Sequence, residues 1–216
     1  SQSSFGNKFK VTTWGESHGK ALGAVIDGCP AGLPLCEEDI QKFLDRRKPG
    51  QSRYTTARKE GDLVEILSGV FEGKTTGTPI SLMVRNTDQR SRDYGNIAYS
   101  YRPGHADYTF DQKYGFRDYR GGGRSSGRET IGRVAAGAIA SKILGELGIS
   151  ICTYTRSIGP VEITSFNKEE IHQNAFYMPD AQAAVKAGEY LEECMKNQDS
   201  AGGVIECRIT GTPAGL

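Results

Sequence analysis

Glycine constrains the fold of this chain more than any other residue type. The sequence holds 28 glycines among 216 residues, and they are spread along the whole chain instead of forming a low-complexity tract. Glycine adopts backbone conformations that side chains disfavour, and it lets two backbones approach closely. The distribution therefore predicts many tight turns and close contacts. With 37% hydrophobic residues, the chain can bury the core of one large domain or two small ones.

Charge, cysteine spacing and hydropathy exclude several classes of protein. The formal net charge is +1, and the five cysteines are widely spaced without a Cys-x-x-Cys pair. We therefore expect reduced thiols, no metal site and a cytoplasmic protein. The chain has no run of about 18 apolar residues and no secretory signal in its first ten residues. Neither membrane insertion nor export is expected.

Two basic stretches interrupt this balanced charge. The first contains Arg46, Arg47, Lys48, Arg53, Arg58 and Lys59, and the second contains Arg117, Arg120, Arg124, Arg128 and Arg133. Local clusters on a near-neutral chain favour a compact anionic ligand over nucleic acid. Arginine donates paired hydrogen bonds to phosphate or carboxylate, so we expect Arg47 and Arg53 to act on an anionic substrate and not on folding. For Arg46 and Lys48, a solvated helix end is the alternative.

Hydrophobic periodicity predicts both strands and helices. The predicted strands are 22–27, 63–71, 80–84, 149–157 and 203–210, with the second and third in an antiparallel sheet. The first predicted helix has acidic residues 37–39 at its N-terminus and ends before Pro49. The other two are 128–147 and 181–195, and a capping box of Ser126 and Glu129 begins the helix at 128. The alanines and glycines of that helix predict close packing against a sheet or another helix. Residues 88–123 are predicted to be irregular, which is typical of functional segments.

A short repeat follows two of the predicted strands. Cys29-Pro-Ala-Gly-Leu33 comes after the first strand, and Thr212-Pro-Ala-Gly-Leu216 comes after the last. Either the match is chance, or the chain contains a duplicated unit whose second copy stops at this turn.

Two histidines lie in turn-forming contexts. His18 lies in the glycine-bracketed loop 15–19, and His105 lies in Arg102-Pro-Gly-His-Ala-Asp107. Imidazole titrates near pH ~6.5, so either side chain could protonate a phosphate leaving group. A hydrogen-bonded structural histidine is the alternative in both cases. His172 lies in a polar, helical-looking stretch, where we expect no function.

A glycine-rich segment, 121–128, precedes the strongest predicted helix. Its glycines let the backbone approach an anion, Ser125 and Ser126 add hydroxyl donors, and the helix N-terminus adds a positive dipole end. The segment matches neither the P-loop nor the dinucleotide-binding pattern. An anion-binding turn and a flexible turn with a helix cap both remain open.

Six segments, taken in order, resemble one family. They are 15–19, 27–30, 45–47, 102–107, 123–130 and 133–138. This series resembles chorismate synthase over nearly the whole chain. The resemblance implies an α+β fold, a β-α-β sandwich in which antiparallel sheets pack around helices. It also implies a homotetramer, with residues 1–216 as the N-terminal part of one domain without an internal boundary.

The resemblance further implies a reaction. Chorismate synthases convert 5-enolpyruvylshikimate 3-phosphate to chorismate and phosphate by anti-1,4-elimination, a step of aromatic amino-acid biosynthesis. The reaction requires reduced FMN although no net oxidation occurs, and NADPH can serve as an external reductant. The partner is therefore a small molecule.

Site residues are carried over by their match to the family motifs. His18 is implied to protonate the departing phosphate, and His105 is implied to lie beside the reduced flavin. The implied substrate-binding residues are Ser17, Arg47, Arg53, Arg102 and Arg128. The implied FMN-binding residues are Arg124, Ser125 and Ser126, and a pyridine-nucleotide phosphate is expected on Arg47 and Arg53.

Two departures from the family pattern stand out. Gly127 replaces the usual alanine, which loosens the turn but removes no side-chain chemistry. Family members also continue beyond the Pro-Ala-Gly-Leu motif, where they supply further flavin contacts, a substrate arginine and the aspartate that deprotonates the flavin. We therefore expect the chain to lack part of the active site and to be inactive by itself.

Overall fold

The computed structural model describes residues 3–47, 61–87, 98–120 and 123–216. The chain divides into two compact units, the first ending at Ile143 and the second comprising Leu144–Leu216. Both contain helices and antiparallel sheet, so the predicted α+β class is confirmed. The prediction that residues 1–216 belong to one domain stays a prediction, because two such units can share a domain. Within the described ranges, no helix is long and apolar enough to cross a membrane.

The first unit is built on an antiparallel sheet. Its described strands are β1 (Ser4–Phe5), β2 (Lys10–Gly15), β3 (Ala21–Asp27), β4 (Val64–Ile66), β5 (Val70–Phe71), β6 (Lys74–Thr75) and β7 (Ile80–Arg85). Five of them form one sheet in the order β1, β2, β3, β7 and β4, whereas β5 and β6 form a separate hairpin. The prediction of a single strand over 63–71 is therefore wrong. Between β4 and β5, Gly69 turns the chain with a φ of +83°.

The described residues form three α-helices that lie wholly or mostly in this unit: α1 (Glu37–Arg47), α2 (Asp107–Tyr114) and α3 (Thr130–Glu146). The buried faces of α1 and α3 share one apolar core with the sheet. Close packing of α3 is confirmed at Gly132, where an added Cβ would lie 2.7 Å from the carbonyl oxygen of Gly23. Helix α2 lies in the stretch predicted to be irregular, so that prediction is wrong for residues 107–114. Residues 88–97 and 121–122 lie outside the described residues.

The second unit combines a three-stranded sheet with one long helix. Strand β8 (Ser150–Ile158) pairs antiparallel with both β9 (Val161–Glu162) and β10 (Gly203–Thr210). Helix α4 (Ala181–Lys196) buries an alanine face against Met178 and the half-buried Phe176. The strands and helix predicted here from periodicity are confirmed to within about two residues.

The short sequence repeat corresponds to a repeated turn. Gly28, just before the first copy, and Gly32 within it have φ values of +84° and +86°. The equivalent Gly211 and Gly215 of the second copy have +82° and +91°. An added Cβ at Gly28 would lie 1.6 Å from the carbonyl oxygen of Lys8, and one at Gly211 would lie 2.1 Å from that of Gly148. In both turns, the glycine before the repeat packs against backbone just before a strand, β2 for Gly28 and β8 for Gly211. The shared geometry favours a duplicated unit over chance.

A buried carboxylate anchors α4. One oxygen of Asp180 accepts hydrogen bonds from the backbone N–H groups of Gln182 and Ala183, both at 3.1 Å. The other accepts from the backbone N–H groups of Thr164 at 2.9 Å and Ser165 at 3.2 Å. These donors, led by Thr164, favour the ionised form and lower the pKa of Asp180 to about 2.

Replacing this side chain should destabilise the protein. In Asp180→Ala the N-cap is lost and buried N–H groups lose their acceptor, so we expect the free energy of unfolding to fall by about 2–4 kcal/mol. Urea denaturation followed by circular dichroism measures the change. Asp199→Ala is the matched control, because Asp199 is exposed and its loss should cost no more than about 0.5 kcal/mol. Equal effects of the two variants would contradict the assignment.

The same carboxylate makes stability depend on pH. Its folded pKa of about 2 lies below the unfolded value of about 3.9, so its stabilising contribution, on the order of 2 kcal/mol, is complete above the unfolded pKa. That contribution is lost as the pH falls through the folded pKa. The stability difference between the parent and Asp180→Ala should therefore shrink between pH 5 and pH 2. A difference that stays constant over this range would show that ionisation is not involved.

Candidate active site

Four chain segments of the first unit meet at one edge of its sheet. The register pairs Gly15 with Leu22, Ala21 with Arg85, and Val64 with Val84. The end of β2, the start of β3, the end of β7 and the start of β4 consequently share this edge. The loop that contains His18 joins β2 to β3, so sheet topology brings it close to the residues after β7 and before β4.

The His18 loop, residues 16–20, is buried at its centre although it connects two strands. Ser17 is 1% exposed and His18 is 8% exposed. The backbone N–H of Ser17 donates to the carbonyl oxygen of Gly123 at 3.4 Å, which ties the loop to the glycine-rich segment before α3. Gly15 begins the loop with a φ of +91°, and an added Cβ there would lie 2.3 Å from the carbonyl oxygen of Ala21. The side chain of His18, the residue predicted to act as an acid, is thus largely enclosed by protein.

A buried carboxylate between two arginines lies at the same edge. The Asp62 side chain is fully buried and accepts from Nη1 of Arg47 at 3.1 Å and from Nη2 of Arg128 at 3.0 Å. Burial lowers the pKa of Arg47, an effect that the charge of Asp62 partly offsets. The cluster carries two cations and one anion, so it retains an excess positive charge that suits an anionic ligand.

Arg47 differs from the sequence expectation in one respect. Its side chain is only 19% exposed and is bound to a buried carboxylate, an environment that favours a contribution to folding, against the expectation from the sequence. Sequence periodicity placed it at the end of a helix but could not show the distant Asp62 beside it. Arg53, predicted to act with it, lies outside the described residues.

Asn86 connects the arginine cluster to the His18 loop. Its side-chain oxygen accepts from Nε and Nη2 of Arg128 at 3.2 and 3.0 Å. Its side-chain nitrogen donates to the carbonyl oxygens of Glu16 at 3.0 Å and Gly19 at 2.9 Å. Its backbone N–H donates to the carbonyl oxygen of Lys20 at 3.0 Å. The loop and Arg128 are therefore held by the same buried side chain.

Arg128 retains one donor nitrogen, with two N–H groups, for a ligand. Its side chain is 6% exposed, and Nε and Nη2 are directed at Asn86 and Asp62. In the described part of the chain, the buried Nη1 has no hydrogen-bond partner. A buried guanidinium nitrogen without an acceptor costs free energy, which an anionic group would recover.

The segment before α3 forms two short 3-10 turns, Gly123–Ser125 and Gly127–Glu129. Ser126 accepts from the backbone N–H of Arg128 at 3.3 Å, while Glu129 accepts from the hydroxyl of Thr13 at 2.7 Å. Ser126 is therefore a capping residue as predicted, but of the second 3-10 turn, whereas the Glu129 half of the predicted capping box is wrong. Helix α3 begins two residues after the predicted start. Tertiary contact with β2 draws the Glu129 carboxylate away from the helix start.

Of the predicted FMN-binding residues, Arg124 is the most engaged with the protein itself. Its guanidinium donates to the carbonyl oxygen of Gly15 at 2.9 Å and to the hydroxyl of Thr13 at 2.8 Å. Ser125 is exposed and Ser126 is half-buried. The arginine thereby fixes the end of β2, and a role toward a cofactor stays a prediction for all three residues.

The second predicted histidine lies in a loop that is organised by its own ion pair. Arg102 donates from Nε and Nη2 to the two oxygens of Asp107, both at 3.0 Å. These bonds lower the pKa of the buried Asp107 to about 2. His105 is exposed, and its Nδ1 lies 3.1 Å from the carbonyl oxygen of Pro103. The interactions described for this loop are local, and its approach to a substrate stays a prediction.

A cavity of about 430 Å³ opens beside the glycine-rich segment. It is lined by Ser3, Glu16, Phe110, Tyr114, Phe116, Arg117, Asp118, Gly123 and Arg124. Hydrogen bonds from Arg120, and to a smaller extent the charge of His18, hold the pKa of Asp118 below its usual value. The cavity therefore lies next to the His18 loop and combines aromatic walls with charged groups. Its size is within the range of small-molecule sites.

Comparison with known proteins identifies the family. The sequence pattern of chorismate synthase matches residues 9–216. The chain belongs to the chorismate synthase family. The chorismate synthase of Agathobacter rectalis is 71% identical over 216 residues, covering 99% of this chain and 59% of the relative. That of Lachnoclostridium phytofermentans is 67% identical over 218 residues, covering all of this chain and 59% of the relative.

A solved structure agrees with this assignment. A crystal structure of chorismate synthase superposes with a TM-score of 0.77 at 35% identity, covering 96% of this chain and 59% of the other. The predicted family and fold class are confirmed. The chain spans about 59% of the length of the relatives that it matches.

Two residues of the site were missed by sequence reasoning, namely Asp62 and Asn86. Asn86 continues the inward alternation of Ile80, Leu82 and Val84, and a polar residue in such a position signals a buried contact. Asp62 precedes Val64 with the same spacing, while Leu63 between them is 72% exposed. From the sequence, the apolar Leu63 is expected to be buried and the charged Asp62 exposed, whereas the structure has the opposite.

The revised position of Arg47 gives a stability prediction. Arg47→Ala leaves the buried Asp62 with one cation fewer, so we expect the free energy of unfolding to fall by about 1–3 kcal/mol. Arg46→Ala is the matched control, because Arg46 is the exposed neighbour on α1 and its loss should cost about 0.5 kcal/mol. Chemical denaturation of the 216-residue chain measures both. A loss for Arg47→Ala no larger than for Arg46→Ala would mean that the ion pair does not stabilise the fold.

Proposed function

We propose that this chain supplies the phosphate-side part of the active site of a chorismate synthase. The reaction would convert 5-enolpyruvylshikimate 3-phosphate to chorismate and phosphate by 1,4-elimination. The observation that carries the proposal is the network of hydrogen bonds, through the buried Asn86, that links the His18 loop to the Arg47–Asp62–Arg128 cluster. This arrangement supports the proposal that His18 acts as an acid next to an anion-binding arginine cluster.

The arginine cluster binds the anionic substrate. Its excess positive charge lies in a buried setting, where electrostatic attraction is stronger than in water. Nη1 of Arg128 is an available donor, and Ser17 in the adjoining loop adds a hydroxyl. Arg53 and Arg102 complete the proposed substrate-binding set. The guanidiniums hold the phosphate and carboxylate groups in place without being consumed.

His18 acts as the general acid. When the carbon–oxygen bond breaks, the electron pair leaves with the phosphate oxygen, and protonation by the imidazole stabilises that oxygen. Burial of His18 to 8% exposure limits competition from water. Asp118, whose pKa is held low by hydrogen bonds from Arg120, lines the cavity that adjoins the His18 loop.

The residues present fit a flavin. The cavity offers Phe110, Tyr114 and Phe116 to a planar ring system, and the guanidiniums of Arg117 and Arg124 to an anionic group. We assign this cavity, together with Ser125, Ser126 and His105, to reduced FMN. When bound, reduced FMN supplies an electron transiently and takes up the proton that the substrate releases.

Further features follow from the family and complete the proposal. We propose that the whole protein is a cytoplasmic homotetramer, and that NADPH serves as the external reductant of the flavin. Arg47 and Arg53 are proposed to bind the phosphate of the pyridine nucleotide. Size measurement by light scattering tests the tetramer, and anaerobic flavin reduction by NADPH tests the reductant.

The test of the proposed function uses a completed protein, in which this chain is joined to the part of the Agathobacter rectalis relative that it does not cover. Formation of chorismate and phosphate is measured anaerobically with reduced FMN. We expect turnover by the completed protein. Absence of chorismate from a folded completed protein, with the intact relative active in parallel, would overturn the proposal.

His18→Ala in the completed protein should lower turnover by roughly 10²- to 10⁴-fold, the usual effect of losing a positioned acid. His172→Ala is the matched control, because His172 is exposed and lies in the second unit, and it should leave turnover unchanged. FMN is kept fully reduced throughout. Turnover of His18→Ala within twofold of the parent would remove His18 from the mechanism.

The 216-residue chain by itself should form no chorismate, because it spans about 59% of its relatives. The same anaerobic assay, with the completed protein as positive control, measures this. Substrate-dependent turnover by the chain alone would show that its own residues suffice for flavin binding and proton removal.

A further inference from the structure

We propose that Asn86 is a positioning residue that sets the placement of His18 relative to Arg128. The inference rests on the proposed function, in which these two side chains act on the same anionic substrate. Asn86 itself is not assigned to touch the substrate. Its role would be exerted through the loop on one side and the guanidinium on the other.

The hydrogen bonds of Asn86 define its orientation. An amide side chain can accept two hydrogen bonds and donate two. The oxygen accepts both from Arg128, and the nitrogen donates to the carbonyl oxygens of Glu16 and Gly19. The opposite orientation would place oxygen against two carbonyl oxygens and nitrogen against a guanidinium, so every contact would be repulsive. One orientation is therefore strongly favoured.

The two carbonyl groups held by Asn86 flank Ser17 and His18 in the chain. Fixing Glu16 and Gly19 consequently fixes the backbone that carries the imidazole. Asn86 is itself fixed, since it is only 7% exposed and its backbone N–H donates to the carbonyl oxygen of Lys20, the last residue of the His18 loop. The chain of contacts from Arg128 through Asn86 to the His18 loop contains no exposed link.

This arrangement has a functional reason beyond stability. An acid and an anion-binding group that act on one phosphate must keep their separation constant, because a displacement of about 1 Å can cost about 100-fold in rate. A shared buried amide keeps that separation constant more directly than two independent attachments would. Asp62 fixes the other side of Arg128, so motion of the guanidinium is restricted from both directions.

Asn86→Asp separates the two functions of the side chain. A carboxylate retains the acceptor for Arg128 but removes the donor to Glu16 and Gly19 and repels their carbonyl oxygens. Asn86→Ala removes both sets of bonds. Asn7→Ala is the matched control, because Asn7 is exposed in the same unit. If Asn86 served only to satisfy Arg128, the aspartate variant would leave the His18 loop unchanged.

The first experiment is NMR of the histidine side chains in the 216-residue chain. The sequence contains three histidines, so their imidazole signals are readily resolved, and His18→Gln assigns the signal of His18. We expect Asn86→Asp and Asn86→Ala to move the His18 signal while those of His105 and His172 stay at their parent positions. Asn7→Ala should move none of the three.

Two NMR outcomes overturn the inference. An unchanged His18 signal in both Asn86 variants would show that the loop does not depend on the amide. Displacement or loss of all three histidine signals in both variants would show a general requirement for folding instead of a positioning role. This readout does not depend on turnover, so it is independent of the proposed function.

The second experiment measures turnover of the completed protein. With temperature chosen so that all variants are folded, kcat of Asn86→Asp should fall about 10- to 100-fold, and Asn7→Ala should match the parent. A parent-like kcat would overturn the positioning role. If the folded parent forms no chorismate, the proposed function fails while the NMR result still decides whether Asn86 holds the loop.

Discussion

The carboxylate of Asp62, fully buried between Arg47 and Arg128, is the interaction on which the proposed active site depends. Burying a charge is costly unless it is paired and hydrogen-bonded, and removing one partner of a buried pair commonly costs several kcal/mol. Two guanidiniums, one from the end of α1 and one from the 3-10 turn before α3, satisfy this requirement. The carboxylate thereby ties the two helices to the start of β4 and leaves positive charge for a ligand.

The buried polar network extends from this carboxylate to the His18 loop. Asp62 holds Arg128, Arg128 is held by Asn86, and Asn86 holds the carbonyl groups on either side of Ser17 and His18. Replacing such a network by apolar residues would often stabilise a protein. Its presence at the edge of the sheet is therefore better explained by the geometry of a ligand site than by stability alone.

Glycine lets the remaining segments approach this edge. Gly15 turns β2 into the His18 loop, and Gly132 brings α3 against the backbone of β3. Arg124 then reaches the carbonyl oxygen of Gly15. Side chains at either glycine would hold the segments apart, which would separate the glycine-rich segment from the His18 loop. The high glycine content noted in the sequence thus has a specific structural use at the site.

The sequence by itself determined the family, the α+β class, and the main helices and strands, and it predicted His18 and the arginines as site residues. These follow from motifs and from local periodicity, which depend on residues near one another in the chain. The tertiary structure alone decided that Arg47 is buried against Asp62, that Glu129 bonds to Thr13, and that Asn86 joins Arg128 to the His18 loop. Those contacts join residues between 15 and 116 positions apart. Strand order and register set such pairings, and no local pattern in the chain encodes them.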